Sequence, residues 1–435
     1  MDVDRHRETL LNSGDKNNGG QRPRFGLVAI AGPGLLLAAT GVGGGDLATA
    51  SIAGSLLGPA ILWAVLVGAF LKFVVTEGLA RWQLATGETF LEGVVHRLGS
   101  GWIIVFLPYL FLWTFFAGSA QMNACGIALH AIFPFFASPE QGKIVFGMIS
   151  SVVGIGLVLK GGYQLFEKIM RVCIGIMFVT VVLTAILLWP GTGAVLSGLL
   201  VPTIPDISGV GLTWTVALIG GIGGTLTILG YGYWLREEGR TSSEDVWLCR
   251  VDVGAGYMMT AIFGLAMVIV GSTIEIEGQG TTLLVTLSER LGEQIGPVGQ
   301  WLFLLGAFGA VFSSLLGVWQ SVPYLFADCW GLIREKAKHT EGEPIPVDTN
   351  ALPYRTYLGI IGIVPMIGLF MSFREVQMLY TVTGAMFFPF LALALLIMNG
   401  RAAWVGEDHK NRPIGVITLI AVLAFFSWVG LRTVL

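Results

Sequence analysis

Eleven stretches of about twenty mostly apolar residues follow one another along this chain, and each is long enough to cross a lipid bilayer as a helix. They run roughly over 26–57, 60–82, 102–133, 143–160, 165–189, 211–235, 251–272, 297–328, 355–372, 376–398 and 413–433. Turn residues such as Gly58-Pro59, Pro190-Gly191 and Gly296-Pro297 separate several of them. Charged residues are only 12% of the 435, against about 25% in an ordinary soluble domain, so the chain reads as an all-α polytopic membrane protein. A net charge of −3 gives no footing for nucleic acid as a partner, and the lipid bilayer is the first partner implied. Residues 1–24 are polar, without the apolar core of a secretory signal, and read as a disordered cytoplasmic tail. None of Cys125, Cys173, Cys249 and Cys329 falls in a segment placed outside, so no disulfide is implied.

Orientation follows from the basic residues. With the N-terminus inside, twenty of the twenty-five Lys and Arg lie in inside segments, four (Lys143, Arg290, Arg374, Arg432) lie outside, and Lys72 is left in the membrane. The positive-inside rule therefore places the N-terminus in the cytoplasm and the C-terminus outside, with a bacterial inner membrane as the expected location. Segment 282–294 has helical periodicity and reads as a short surface helix; the inside loop 331–352 is polar.

Within this frame two spans are interrupted. The first carries Thr40-Gly41-Val42-Gly43-Gly44-Gly45-Asp46 at mid-depth, and the sixth carries Gly220-Gly221-Ile222-Gly223-Gly224-Thr225-Leu226-Thr227. Each glycine costs about 1 kcal/mol against alanine in a helix interior, so both clusters invite unwinding. Unwound backbone at membrane depth is tolerated only where protein buries it or a wet cavity meets it. A glycine-lined helix crossing would explain either cluster alone. Matching positions five spans apart point instead to an inverted repeat, with the binding site at the two breaks. The chain then divides into the tail 1–24, a first repeat 25–200 (spans 1–5), a second repeat 201–400 (spans 6–10) and an extra span in 401–435.

Three ionisable side chains stand well inside the spans: Asp46, Lys72 and Glu77. A charge at the centre of a membrane helix costs roughly 2.5–3.5 kcal/mol even by insertion measurements, and a bound substrate or ion is the usual compensation. Asp46 is accordingly the central ligand candidate. Glu77 stands four residues before Arg81, a spacing that lets the two pair on one helix face. Lys72 is too deep to reach water easily and is expected to neutralise Asp46 when the site is empty. Gln121 and Asn123 of the third span either line a path or bridge helices. His130 is expected at the outer interface, and Asp252 and Asp328 at span ends within reach of water. The aromatic residues Trp113, Phe115, Phe116, Phe387 and Phe388 read as packing surfaces. The sequence has no His/Cys cluster at metal-ligand spacing, no phosphate-binding loop and no Gly-x-Ser-x-Gly, so nothing in it argues for an enzyme.

The first two spans resemble the Nramp family of divalent-metal transporters. The likeness rests on Gly32-Pro33-Gly34, the interruption ending in Gly45-Asp46-Leu47-Ala48-Thr49, Leu62-Trp63, and Leu84-Ala85-Thr86-Gly87. It runs without a gap over about 55 residues; further on it is mostly topological, with an echo at Phe388-Pro389-Phe390. The resemblance implies a LeuT-type 5+5 inverted-repeat fold with helices 1 and 6 broken, plus an eleventh helix. It also implies divalent-cation transport, often proton-coupled, with the metal as substrate and no cofactor.

The chain departs from the family pattern at the site itself. The family's Asp-Pro-Gly-Asn motif falls on Gly43, Gly44, Gly45 and Asp46, which moves the carboxylate three positions along. Its Met-Pro-His motif falls on Gly224, Thr225 and Leu226, and the glutamine often found in span 10 aligns with Phe387. With the thioether and imidazole gone, the remaining donors are oxygens: Asp46, hydroxyls of Thr40, Thr49, Thr225 and Thr227, and carbonyls freed at Gly43 and Gly224. Hard oxygens suit Mg²⁺, Ca²⁺ or Mn²⁺. Lys72, Glu77 and Asn123 are the candidates for a coupling or proton pathway. Two other readings remain at this point. One is a transporter of the same fold for a small organic solute such as an amino acid or amine, its anionic group facing the half-helix start at Thr225-Leu226-Thr227. The other is a non-transporting sensor, which would need a signalling domain that the short tail and loops do not hold.

Overall fold

The computed structural model describes residues 32–207, 209–274, 282–334 and 347–434. The expected tail 1–24 and the middle of the inside loop lie outside the described residues. Every regular element among those described is helical. Among the described residues nine helical runs are long and apolar enough to cross a bilayer. The difference from eleven arises in two places. The run Asp46–Thr86 holds both the end of the first span and the whole of the second, and the last apolar helix, Pro413–Trp428, is shorter.

The fourth and fifth spans, drawn from the sequence as 143–160 and 165–189, are joined without a break. The backbone stays helical over Pro139–Leu187, forty-nine residues. At about 1.5 Å per residue that is more than twice the ~30 Å bilayer core, and the run holds two stretches each long and apolar enough to cross, Pro139–Gly161 and Gln164–Leu187. The expected surface helix forms at Leu283–Ile295, with Leu284, Leu287 and Leu291 buried.

Small residues set how closely the spans approach. A Cβ on Gly54 would run into the backbone of Val268, and one on Gly271 into that of Ser51, so the first and seventh spans interlock through glycines on both sides. The first span is likewise packed against the eighth (Pro297–Arg334). The outward faces of the spans carry exposed Ile104, Val152, Val179 and Ile186, the composition a lipid-facing surface requires. Nearly every described residue of the first and sixth spans is buried by this ring of helices, which puts both glycine clusters at the centre of the molecule.

Candidate functional site

The sixth span breaks where its glycines are. Its first half, Val210–Gly221, ends as Ile222 turns extended (ψ 126) and Gly223 and Gly224 take positive φ of 71 and 82. That region strains any residue with a Cβ, and the space is closed as well. A Cβ on Gly223 would stand 2.7 Å from the Tyr257 ring, and one on Gly224 would stand 2.6 Å from Thr227 Oγ1. The chain resumes as a 3₁₀ turn at Leu226–Leu229 and then as the helix Gly230–Glu237.

The first span behaves differently. Pro33–Gly41 is α-helical, Val42–Thr49 is π-helical, and Ala50–Leu57 is α-helical again. The expected break is thus a widened helical turn. Its neighbours supply the reason: Ser314 Oγ donates to Thr40 O at 2.5 Å and Ser313 Oγ donates to Ala39 O at 3.2 Å. These two eighth-span hydroxyls satisfy carbonyls at the point where the hydrogen-bond register lengthens, so the glycines need not unwind. Inserted π turns recur at functional sites because the extra residue re-aims a side chain. Here the turn carries Asp46, fully buried.

Asp46 and Lys72 both reach the broken stretch of the sixth span. Asp46 Oδ1 accepts from Gly223 N at 2.8 Å, while its Oδ2 is buried without a hydrogen-bond partner. Lys72 Nζ donates to Gly220 O at 2.7 Å, and also to Ile222 O and Gly224 O. The expected Asp46–Lys72 neutralisation is therefore not a direct ion pair; each charge is met first by backbone. Gly41 lets the spans meet, since a Cβ on it would stand 2.6 Å from Gly223 C.

The other expected donors divide by helix face. Thr227 Oγ1 is buried at the break and unpartnered. Thr225 stands beside it, its Oγ1 accepting from Trp113 Nε1 at 2.8 Å. Thr40 and Gly43 face the eighth span instead: Thr40 Oγ1 donates to Leu36 O in its own helix at 2.7 Å, and a Cβ on Gly43 would stand 2.8 Å from Ser314 Oγ. Thr49 Oγ1 accepts from Gln377 Nε2 of the tenth span at 2.9 Å. Asn123 bridges helices, its Nδ2 donating to Ser119 O at 2.8 Å and to Gly368 O at 3.2 Å. Glu77 joins an ion cluster at the inner end, with Arg250 at 2.6 Å and Arg81 at 3.3 Å.

Several neighbours of the break were not foreseen. Thr260 Oγ1 is buried and unpartnered, with its methyl group beside Gly223. Tyr257, whose hydroxyl lies 2.8 Å from Thr76 Oγ1, covers the same glycine. Trp113 stands over Thr225 with Tyr380 at a centroid distance of 6.0 Å. Tyr257 and Thr260 lie on the same face one turn apart in an evenly apolar span, and no sequence period distinguishes that face. Three oxygens, Asp46 Oδ2, Thr227 Oγ1 and Thr260 Oγ1, thus stand buried and unpartnered around Gly223-Gly224. Buried polar groups are rarely left so, and a cluster of them marks a place for a ligand or an ordered water. Among the described residues no three His, Cys, Asp or Glu side chains gather into a metal site, so oxygen donors of mixed kind are what the break offers.

Asp252 and Asp328 do not reach water as expected. Both are buried, Asp252 held by Gly34 N at 2.8 Å and Tyr231 Oη at 3.0 Å, Asp328 by Tyr233 Oη at 2.5 Å and Thr89 Oγ1 at 3.0 Å. The sixth span supplies both tyrosines, so these carboxylates clamp its second half. His130, expected at the interface, is buried against Gly142. Beside this clamp a cavity of about 560 Å³ is lined by Gln83, Gly87, Tyr233, Arg236 and Tyr324.

An all-helical bundle of apolar spans, closed around a discontinuous helix with a buried carboxylate against the break, is the architecture of an integral membrane protein. Residues 34–435 match the natural resistance-associated macrophage protein-like (Nramp) family, and the chain belongs to it. Among its relatives is a divalent metal cation transporter, MntH, of Chromohalobacter salexigens, 24% identical over 68% of this chain and 71% of that protein. An uncharacterized protein of Pasteurella multocida is 24% identical over 67% of this chain and 68% of its own length. The solved structure of an Eremococcus coleocola manganese transporter has the same fold, with a TM-score of 0.67 over 95% of this chain and 88% of that one at 18% identity. MhsT in complex with L-phenylalanine also shares it, with a TM-score of 0.58 over 90% and 95% at 16% identity. These likenesses bear out the LeuT-type fold expected from the first two spans.

Proposed function

We propose that this protein is a secondary transporter that moves a divalent metal cation across the membrane by alternating access, with Asp46 as its central ligand. The observation that carries this reading is the buried, unpartnered Asp46 Oδ2 on a π turn pressed against the broken sixth span. The family, and the metal named for the Chromohalobacter and Eremococcus relatives, support it. The unpartnered hydroxyls of Thr227 and Thr260 join Asp46 in an all-oxygen donor set, and hard oxygens favour Mg²⁺, Mn²⁺ or Ca²⁺ over softer ions. In this reading residues 25–200 and 201–400 are the two repeats that rock about the site, the N-terminus is cytoplasmic and the C-terminus outside, and a bacterial inner membrane houses the protein. Coupling to protons belongs to the same proposal, with Asp46 as the group that exchanges proton for metal.

The decisive experiment is uptake into proteoliposomes of Mg²⁺, Mn²⁺, Ca²⁺ and Fe²⁺ by wild type and Asp46→Ala. Uptake that the substitution abolishes supports the proposal and ranks the ions; no uptake of any of them by folded wild type overturns it. One observation favours a second reading, a small organic solute. The Lys72 ammonium already holds three carbonyls of the break, and Trp113, Tyr257 and Tyr380 put aromatic surface around it. Divalent ions that raise the melting temperature of wild type but not of Asp46→Asn would decide for metal.

A further inference from the structure

The buried lysine of the second span has no role in the metal reading, and its surroundings define one. Helix Val210–Gly221 ends in mid-bundle, and the last carbonyls of any helix lack intrahelical partners and carry about half a negative charge between them. Water would satisfy such carbonyls at a surface. Here the second span does so: Lys72 Nζ donates to Gly220 O, Ile222 O and Gly224 O. An ammonium has three N–H donors, and all three are used on this one set of carbonyls. Nothing is left for Asp46, whose Oδ2 stays unpartnered nearby. Gly68, one turn earlier, brings the helices together, since a Cβ there would stand 3.0 Å from Ile219 O. The Phe388 ring, 5.1 Å from Nζ, adds a π face to the ammonium's surroundings.

A ring of backbone carbonyls at the C-terminal end of a half-helix is the kind of site where unwound transporter helices hold a coupling cation. We propose that the Lys72 ammonium is a tethered cation filling a carbonyl-lined ion site at the break of the sixth span, in the place a free monovalent cation would otherwise take. Lys72 is therefore a positioning residue for the broken helix, and it makes that helix independent of sodium or potassium. The inference holds whether Asp46 receives a metal or an organic solute.

The test is made on the purified full-length protein by following melting temperature against sodium, potassium or ethylammonium chloride, with choline chloride as the bulky control. Wild type should be insensitive throughout. Lys72→Ala should start lower and rise with the logarithm of sodium or ethylammonium concentration, but not with choline, as a site-bound ligand requires. Lys72→Met fills the volume of the stem without the charge, and should be destabilised with no cation response. The proposal is overturned if Lys72→Ala ignores every cation, if wild type responds as strongly, or if Lys72→Met is as stable as wild type. Should Lys72→Ala fail to accumulate, sodium or ethylammonium in the extraction buffer should recover a monodisperse protein, and no recovery would equally overturn it. None of these readouts uses a divalent ion or an uptake assay, so their failure is distinct from failure of the metal reading.

Discussion

Two glycine clusters press against each other at the centre of this molecule and have opposite backbones. In the first span Gly41, Gly43, Gly44 and Gly45 stay helical, stretched only into a π turn. In the sixth, Gly223 and Gly224 adopt positive φ and the helix ends. Glycine permits both outcomes, and the neighbours choose between them. The first span is flanked by serines that take up its loosened carbonyls; the sixth meets a lysine and an aspartate that bond its backbone from either side. The helical cluster thus supplies the charged ligand, and the broken one supplies free backbone.

The comparison is broken most severely at Gly224. Gly224→Ala forces a left-handed residue, at about 1–2 kcal/mol, and adds an overpacking cost of about 1–3 kcal/mol against Thr227. Loss of most folded protein and all uptake is expected, read by size-exclusion yield and proteoliposome flux. Gly43→Ala leaves a helical backbone unstrained and tests packing alone, because its Cβ would collide with Ser314 Cβ and stand 2.9 Å from Ala310 O. Equal damage from both would mean that packing, not backbone conformation, sets the requirement for glycine.

Next in size is the carboxylate. A hydrogen bond to a charged group is worth roughly 1.5–3 kcal/mol, so Asp46→Asn should weaken substrate binding by about ten- to a hundredfold while the fold is kept. Isothermal titration with the transported ion, beside an unchanged elution profile, checks this; unchanged affinity would remove Asp46 from the site. Glu77→Gln removes the carboxylate that Arg81 and Arg250 share in a largely buried cluster, a loss of stability of about 1.5–3 kcal/mol. Uptake lost in that variant without loss of stability would place Glu77 on the coupling path. Trp113→Phe deletes the donor to Thr225 Oγ1, at about 1 kcal/mol of stability, and should loosen the restart of the sixth helix. A thermal melt reads it, and no change would mean that the tryptophan only fills space.

Much of this was legible in the chain. Twenty-residue apolar windows gave the crossings because a bilayer fixes helix length, and Asp46 stood out because a charge at mid-span needs a compensating partner. The expected helical break of the first span and the exposure of Asp252 and Asp328 were not what folding produced. In each case the outcome depends on groups far off in sequence: Ser313 and Ser314 for the first span, Tyr231 and Tyr233 for the two aspartates. Periodicity carries no trace of them, because a helix buried on all sides presents no distinct face.

The sequence by itself determined a membrane bundle, its family, and the two glycine-rich stretches at its centre. Only the tertiary structure decided which stretch opens and what meets it: Lys72 on the carbonyls, Asp46 on one amide, and Thr260 arriving unannounced from the seventh span. The physical reason is that local composition sets how cheaply a helix can deform. Hydrogen-bonding partners brought in from other helices determine whether it does.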